Sequence, residues 1–149
     1  MQKIVVIIGA SEATGEEQKV AEEVGRLIAK HGWILINGGL GGVMEASARG
    51  ASKAGGVVVG ILPTPSKDSA NKYISIPIAT NMGHARNVII AHTADVLIAI
   101  GGGEGTLSEI AIARKLGKPV FGIKSWDVVG VIQVSDARSA IDGCKKVLL

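Results

Sequence analysis

Short apolar runs that end in glycine alternate along this chain with longer stretches of helical period. Residues 3–8 (KIVVII) form a continuous β-branched run ending at Gly9, the pattern of a strand buried on both faces. Val20, Val24, Leu27 and Ile28 then recur on one helical face. Thr14 and Glu17 are spaced as a capping box before that helix, and Gly32 marks its end. Residues 33–36 (WILI) predict a second short strand, 42–54 a helix, and 57–62 a third strand. The polar stretch 63–71 (PTPSKDSAN) predicts the one long, mobile loop.

The alternation resumes after that loop. Residues 73–79 predict a strand, placed by Pro77 at an edge or a strand end. A helix is expected at 84–93, a buried strand at 95–100 and a helix at 106–116 stopped by Gly117. A strand at 119–123, a last strand at 128–134 and a closing helix at 136–148 complete the pattern. Buried strands alternating with helices specify an α/β fold: an open, mainly parallel sheet with helices on both faces, here one domain spanning residues 1–149. The glycine clusters fall where strands hand over to helices, the edge at which such sheets bind ligands.

Composition narrows the function. Hydrophobic residues make up 47% of the 149 and charged residues 19%, which excludes disorder. The net charge of +3 is spread along the chain, and aromatics are only 3%, so neither a nucleic-acid track nor a base-stacking platform is expected. A small anionic ligand suits this balance better. No apolar run approaches a membrane span, so a soluble, cytoplasmic protein is expected. The single cysteine, Cys144, excludes an internal disulfide, and His31, His84 and His92 are not spaced as a metal site.

The most informative strand end is Gly101-Gly102-Gly103-Glu104-Gly105-Thr106. Glycines let backbone N–H groups approach an anion, the following helix turns its positive dipole end toward it, and Thr106 adds a hydroxyl. The loop has no Walker lysine, and the first strand is followed by G-A-S-E-A-T-G rather than a dinucleotide motif. Glu109, three residues after Thr106, reads either as the partner in a capping box or as a carboxylate facing the crevice. Arg86 lies in the first turn of its helix, where a cation opposes the dipole, and this favours an anion partner for it.

These residues resemble the LOG family, long mislabelled as lysine decarboxylases. Arg86, Asp95 and Gly102 to Glu109 keep the spacing of that family's Arg, Asp and P-G-G-x-G-T-x-x-E pattern. The segment Gly38-Gly39-Leu40-Gly41-Gly42-Val43-Met44 is similar to its G-G-x-x-G-L-M stretch. Two positions depart: the motif proline is Gly101, and the lysine after the arginine is Asn87. The departures resemble the branch that includes molybdenum-cofactor carrier proteins, which are Rossmann-like dimers.

The resemblance implies two functions. One is a phosphoribohydrolase, needing no cofactor, that cleaves the N-glycosidic bond of a purine nucleoside 5'-monophosphate, with Arg86 and Glu109 catalytic. The other is a carrier of molybdenum cofactor or another phosphorylated pterin, without chemistry. Either way the ligand contacts expected are Gly9, Ser11, Gly38, Gly39, Gly41, Gly42, Met44, Asn81, Asn87, Gly102, Gly103, Gly105 and Thr106, with no metal ligands. Pyridoxal-dependent lysine decarboxylation is rejected, because no lysine sits at a strand end in the crevice. The helices at 84–93 and 106–116 are apolar beyond one stripe, which predicts a homodimer or higher homo-oligomer.

Overall fold

The computed structural model describes all 149 residues. Seven strands form one sheet: β1 (Ile4–Gly9), β2 (Ile34–Asn37), β3 (Val58–Leu62), β4 (Ile76–Ala79), β5 (Val96–Ile100), β6 (Val120–Ile123) and β7 (Ile132–Val134). Their order across the sheet is β4-β3-β2-β1-β5-β6-β7, and every pairing is parallel. The chain builds outward from β1 to one edge, then returns to β5 on the other side of β1. That reversal opens a crevice at the carboxyl ends of β1 and β5.

Five helices cover the sheet: α1 (Gly15–Lys30), α2 (Val43–Lys53), α3 (Arg86–Thr93), α4 (Glu104–Lys115) and α5 (Ala137–Leu148). Side chains alternate along β1, so Val5 and Ile7 join one core while Val6 and Ile8 join the other. The first core lies under α1, α2 and α5 and includes Val24, Ile28, Ala48, Ile141 and Cys144. The second lies under α3 and α4 and includes Ile90, Ala91, Ile110 and Ala113. Helices α1 and α2 cross at backbone contact. A Cβ at Gly50 would lie 2.8 Å from the Glu22 carbonyl carbon, and one at Gly25 would lie 2.9 Å from that of Ser47.

Four expected elements change. The strand expected at 73–79 is confined to Ile76–Ala79, because Tyr73 and Ile74 lie in a turn fixed by the Asn71 side chain. The strand expected at 128–134 shrinks to Ile132–Val134, since Gly130 turns the backbone at φ +92° and Val129 is left 96% exposed. The helix expected from 106 begins two residues earlier, at Glu104. The loop at 63–71 is tied down. Asn71 donates to the Gly39 and Leu40 carbonyls, Gly83 N–H donates to Pro63, and a 3-10 turn occupies Lys67–Ser69.

Candidate functional site

A cleft of about 450 Å³ lies at the chain reversal. One wall is the turn after β1, from Gly9 to Ser11; the opposite wall is the start of α4, from Gly103 to Thr106. Leu40, Met44, Pro63 and His84 close a more apolar end, while Arg86 and Glu109 also face the space. A concave, partly apolar site with a few convergent polar groups is the usual form of a small-ligand pocket.

The phosphate-like end is built by α4. Gly103 caps the helix without a side-chain hydrogen bond, and the first intrahelical bond runs from Leu107 N–H to the Gly103 carbonyl. The N–H groups of Glu104, Gly105 and Thr106 precede it, and they carry the positive end of the helix dipole. At Gly103 the backbone angles are φ −105° and ψ −150°, which other residues adopt, and an added Cβ would meet nothing within 4 Å. Neither strain nor packing demands glycine there. What glycine preserves is open space at the cleft wall.

The cap removes one reading of Glu109. With Gly103 as N-cap, Thr106 sits inside the first turn, so Thr106 and Glu109 do not form a capping box. Glu109 is only 8% exposed, and its carboxyl has no hydrogen-bond partner within the chain. Burial pushes its carboxyl up to about 8, with the nearby Arg86 charge pulling the other way. Arg86 is equally buried, and burial draws its guanidinium below the usual arginine range.

Hydrogen bonds fix the orientation of Arg86. Its Nε donates to the Ile61 carbonyl at 2.8 Å, Nη2 reaches the Gly38 carbonyl at 3.5 Å, and Nη1 donates to Asn87 Oδ1. Asn87 Nδ2 in turn donates to Ser108 Oγ, whose hydroxyl donates to the Gly105 carbonyl. A continuous polar chain thus connects Arg86 to the first turn of α4. Across the cleft, the fully buried Asn37 shapes the glycine turn after β2. Its Nδ2 donates to Met44 O and Ser47 Oγ, and its Oδ1 accepts from Gly39 N–H.

The structure brings Gly9, Ser11, Gly38, Met44, Arg86, Asn87, Gly103, Gly105, Thr106 and Glu109 together around the cleft. It leaves Gly39, Gly41, Gly42, Asn81 and Gly102 out of its lining. Those five serve the turns behind it. Gly39 (φ +79°) lies against Gly60 and Leu62, Gly41 and Gly42 lie against the Ala10–Ser11 backbone, and Gly102 (φ +104°) packs on the Thr106 side chain. Asn81 (φ +53°) turns the chain and donates its N–H to Thr64 O. The expected contacts did not include Ile7, Ile8, Ala10, Leu40, Pro63, Gly83 and His84, which also line the cleft, whereas Glu104 lies within the glycine loop singled out in the sequence. His84 lies two positions before Arg86.

No group of three His, Cys, Asp or Glu is placed to hold a metal ion. Cys144 lies on the buried face of α5, and burial raises its thiol to about 12, far from a reactive thiolate. No helix is long and apolar enough to cross a membrane.

Comparison with known proteins adds two kinds of relative. A Mycobacterium tuberculosis cytokinin riboside 5'-monophosphate phosphoribohydrolase is 32% identical over 132 residues, covering 83% of this chain and 71% of that protein. Among solved structures, the molybdenum cofactor binding protein of Rippkaea orientalis superposes with a TM-score of 0.94 at 36% identity, covering 100% of this chain and 99% of that one. The molybdenum cofactor carrier protein of Chlamydomonas reinhardtii gives 0.90 at 35% identity, with 99% of each chain covered. The resemblance read from Arg86, Asp95 and the 102–109 glycine segment therefore extends over the whole chain. The model of the SLOG cluster4 family matches residues 2–146, and the chain belongs to that family.

Proposed function

We propose that the cleft binds a small phosphorylated ligand, a nucleoside 5'-monophosphate or a pterin, with its phosphate on the N–H groups of Glu104, Gly105 and Thr106. The observation that carries this reading is the open N-terminus of α4. Three orphan donors and a glycine wall that packing does not require lie in the same cleft as the buried Arg86. The apolar end at Leu40, Met44, Pro63 and His84 suits a flat ring system.

Arg86 and Glu109 equip the same cleft for hydrolysis of the N-glycosidic bond of a purine nucleoside monophosphate. Cleavage develops positive charge on the ribose, as other sugar hydrolyses do. An ionised Glu109, unpaired and poorly solvated, stabilises that charge far more than it would in water. Arg86, held by three acceptors, positions the nucleotide, and the distant phosphate contacts orient the reacting bond. The phosphoribohydrolase relative supports this reading.

A second reading, carriage of molybdenum cofactor without chemistry, rests on a separate observation. Asn87 replaces the lysine expected after the arginine and spends both ends of its amide on Arg86 and Ser108. The full-length likeness to molybdenum-cofactor proteins supports it as well. Mass spectrometry of the ligand that copurifies with the native protein tests the two readings. A nucleotide supports the first and molybdopterin the second, while a ligand lacking phosphate contradicts both.

A homodimer accompanies either reading. Val88 on α3 is 43% exposed, Leu116 after α4 is 37% exposed, and Ile76 and Ile78 on β4 are also open. Ile76 and Ile78 pair with Val59 and Ile61 in register, so all four face the α3–α4 side. That side has only two helices over seven strands, and a second copy related by a two-fold axis would cover the remaining apolar surface.

A further inference from the structure

The segment that follows β6 has no assigned role, yet it grips the glycine loop from behind. Lys124 adopts a left-handed backbone (φ +48°), uncommon for a residue with a side chain. That turn brings Ser125 and Trp126 against the loop after β5. Ser125 Oγ donates to the Gly101 carbonyl at 2.7 Å, and Trp126 Nε1 donates to the Gly103 carbonyl at 3.0 Å. Gly101 N–H donates to Ile123 O at 3.2 Å, and Lys124 Nζ reaches Glu16 Oε1 at 2.7 Å, anchoring the turn to α1.

Peptide planarity gives these bonds a directional consequence. The N–H of each trans peptide points opposite to its own carbonyl. The Gly103 carbonyl already accepts the first α4 bond from Leu107, and Trp126 occupies its second acceptor position. With that carbonyl held from two sides, the Glu104 N–H is locked facing away from Trp126, at the anion end of the cleft. Ser125 holds the Gly101–Gly102 peptide in the same manner. Gly101 and Gly102 leave the first of these planes loosely held by the backbone itself, and at Gly103 Trp126 adds a second hold to the single helical bond from Leu107.

We infer that Trp126 is a positioning residue for phosphate recognition: it presets the Gly103–Glu104 peptide, whose N–H receives the anion, while Ser125 braces the Gly101–Gly102 peptide ahead of it. This rests on the placement of the phosphate at α4 proposed above. Rigid donors bind without ordering on arrival, so the strap raises affinity for the phosphate group and not for the rest of the ligand.

The test is binding of inorganic phosphate, AMP and adenosine, measured by calorimetry, to wild type, Trp126→Phe and Ser125→Ala. Phenylalanine keeps the ring but removes the donor. Phosphate and AMP affinity should fall about tenfold in Trp126→Phe and less in Ser125→Ala, with adenosine affinity unchanged, since a lost hydrogen bond is on this scale. In the unsubstituted protein, the Trp126 indole N–H resonance should shift on adding phosphate. The Trp33 resonance should not, because Trp33 stacks on His31 and lies outside the cleft. Trp33→Phe assigns the two signals. Equal phosphate affinity in all three proteins with no indole shift overturns the strap while leaving the phosphate site standing. Equal losses for adenosine and AMP also overturn it, by showing a general structural effect. Wild-type protein that binds no phosphate overturns the underlying site and the strap with it.

Discussion

Replacing Glu109 by Gln should make the protein's stability nearly independent of pH over the range where the wild type weakens. The folded carboxyl titrates near 8, against 4.5 for an exposed glutamate, because burial disfavours its charge. A carboxyl raised in this way binds its proton more tightly folded than unfolded. Its contribution is therefore fully present below pH 4.5 and is lost as pH rises toward 8. At about 1.4 kcal/mol per pH unit, the loss reaches roughly 3 kcal/mol at pH 7 and roughly 5 kcal/mol above pH 8. Glutamine keeps the shape without the ionisation. Urea unfolding of both proteins from pH 5 to 9, at matched m-values, should show them alike near pH 5 and the variant more stable by several kcal/mol at pH 8. Parallel profiles, or a wild type that gains stability across this window relative to the variant, would show that Glu109 is not a desolvated carboxyl.

Three further outcomes follow from the packing. Gly50→Ala would stabilise an exposed helix by about 1 kcal/mol, but here the new Cβ meets the Glu22 carbonyl. A net loss of about 2 kcal/mol is expected in urea unfolding, and a gain would show that α1 and α2 are not in backbone contact. Gly103→Val should fold normally and lose inorganic phosphate binding by calorimetry, since its side chain enters open space at the cleft wall; unchanged affinity would place the anion elsewhere. Light scattering at micromolar concentration should give the mass of a dimer. Val88→Lys with Leu116→Lys should shift it toward monomer, and monomeric wild type would leave the apolar side to another explanation.

Much of this architecture was legible in the sequence because β-branched runs and glycine punctuation report burial directly. The runs at 3–8 and 95–100 became the central strands β1 and β5, and the crevice lies between them. The ends of α4 and β7 were less legible. Glu104 has no capping side chain ahead of it, so the chain offers no local mark for the helix start, and Thr106 drew attention as a false cap. Five expected ligand contacts lie at turns outside the cleft lining, since tight turns and anion loops use the same residues. Gly25 and Gly50 carry no local signal, because their reason is a partner helix more than twenty residues away. Trp126 was passed over for a similar reason: its hydrogen bond to Gly103 spans 23 positions.

The most direct test of the proposed activity is release of free base from AMP and other nucleoside monophosphates, followed by chromatography. Wild-type protein should release adenine, with kcat/KM rising with pH toward about 8 as Glu109 ionises. Glu109→Gln should bind AMP nearly as well and release base about 10² times more slowly, the scale of one key electrostatic group. A wild type that binds nucleotide or pterin tightly, yet frees no base from any monophosphate at any pH from 6 to 9, would contradict hydrolysis and leave carriage as the function of the cleft.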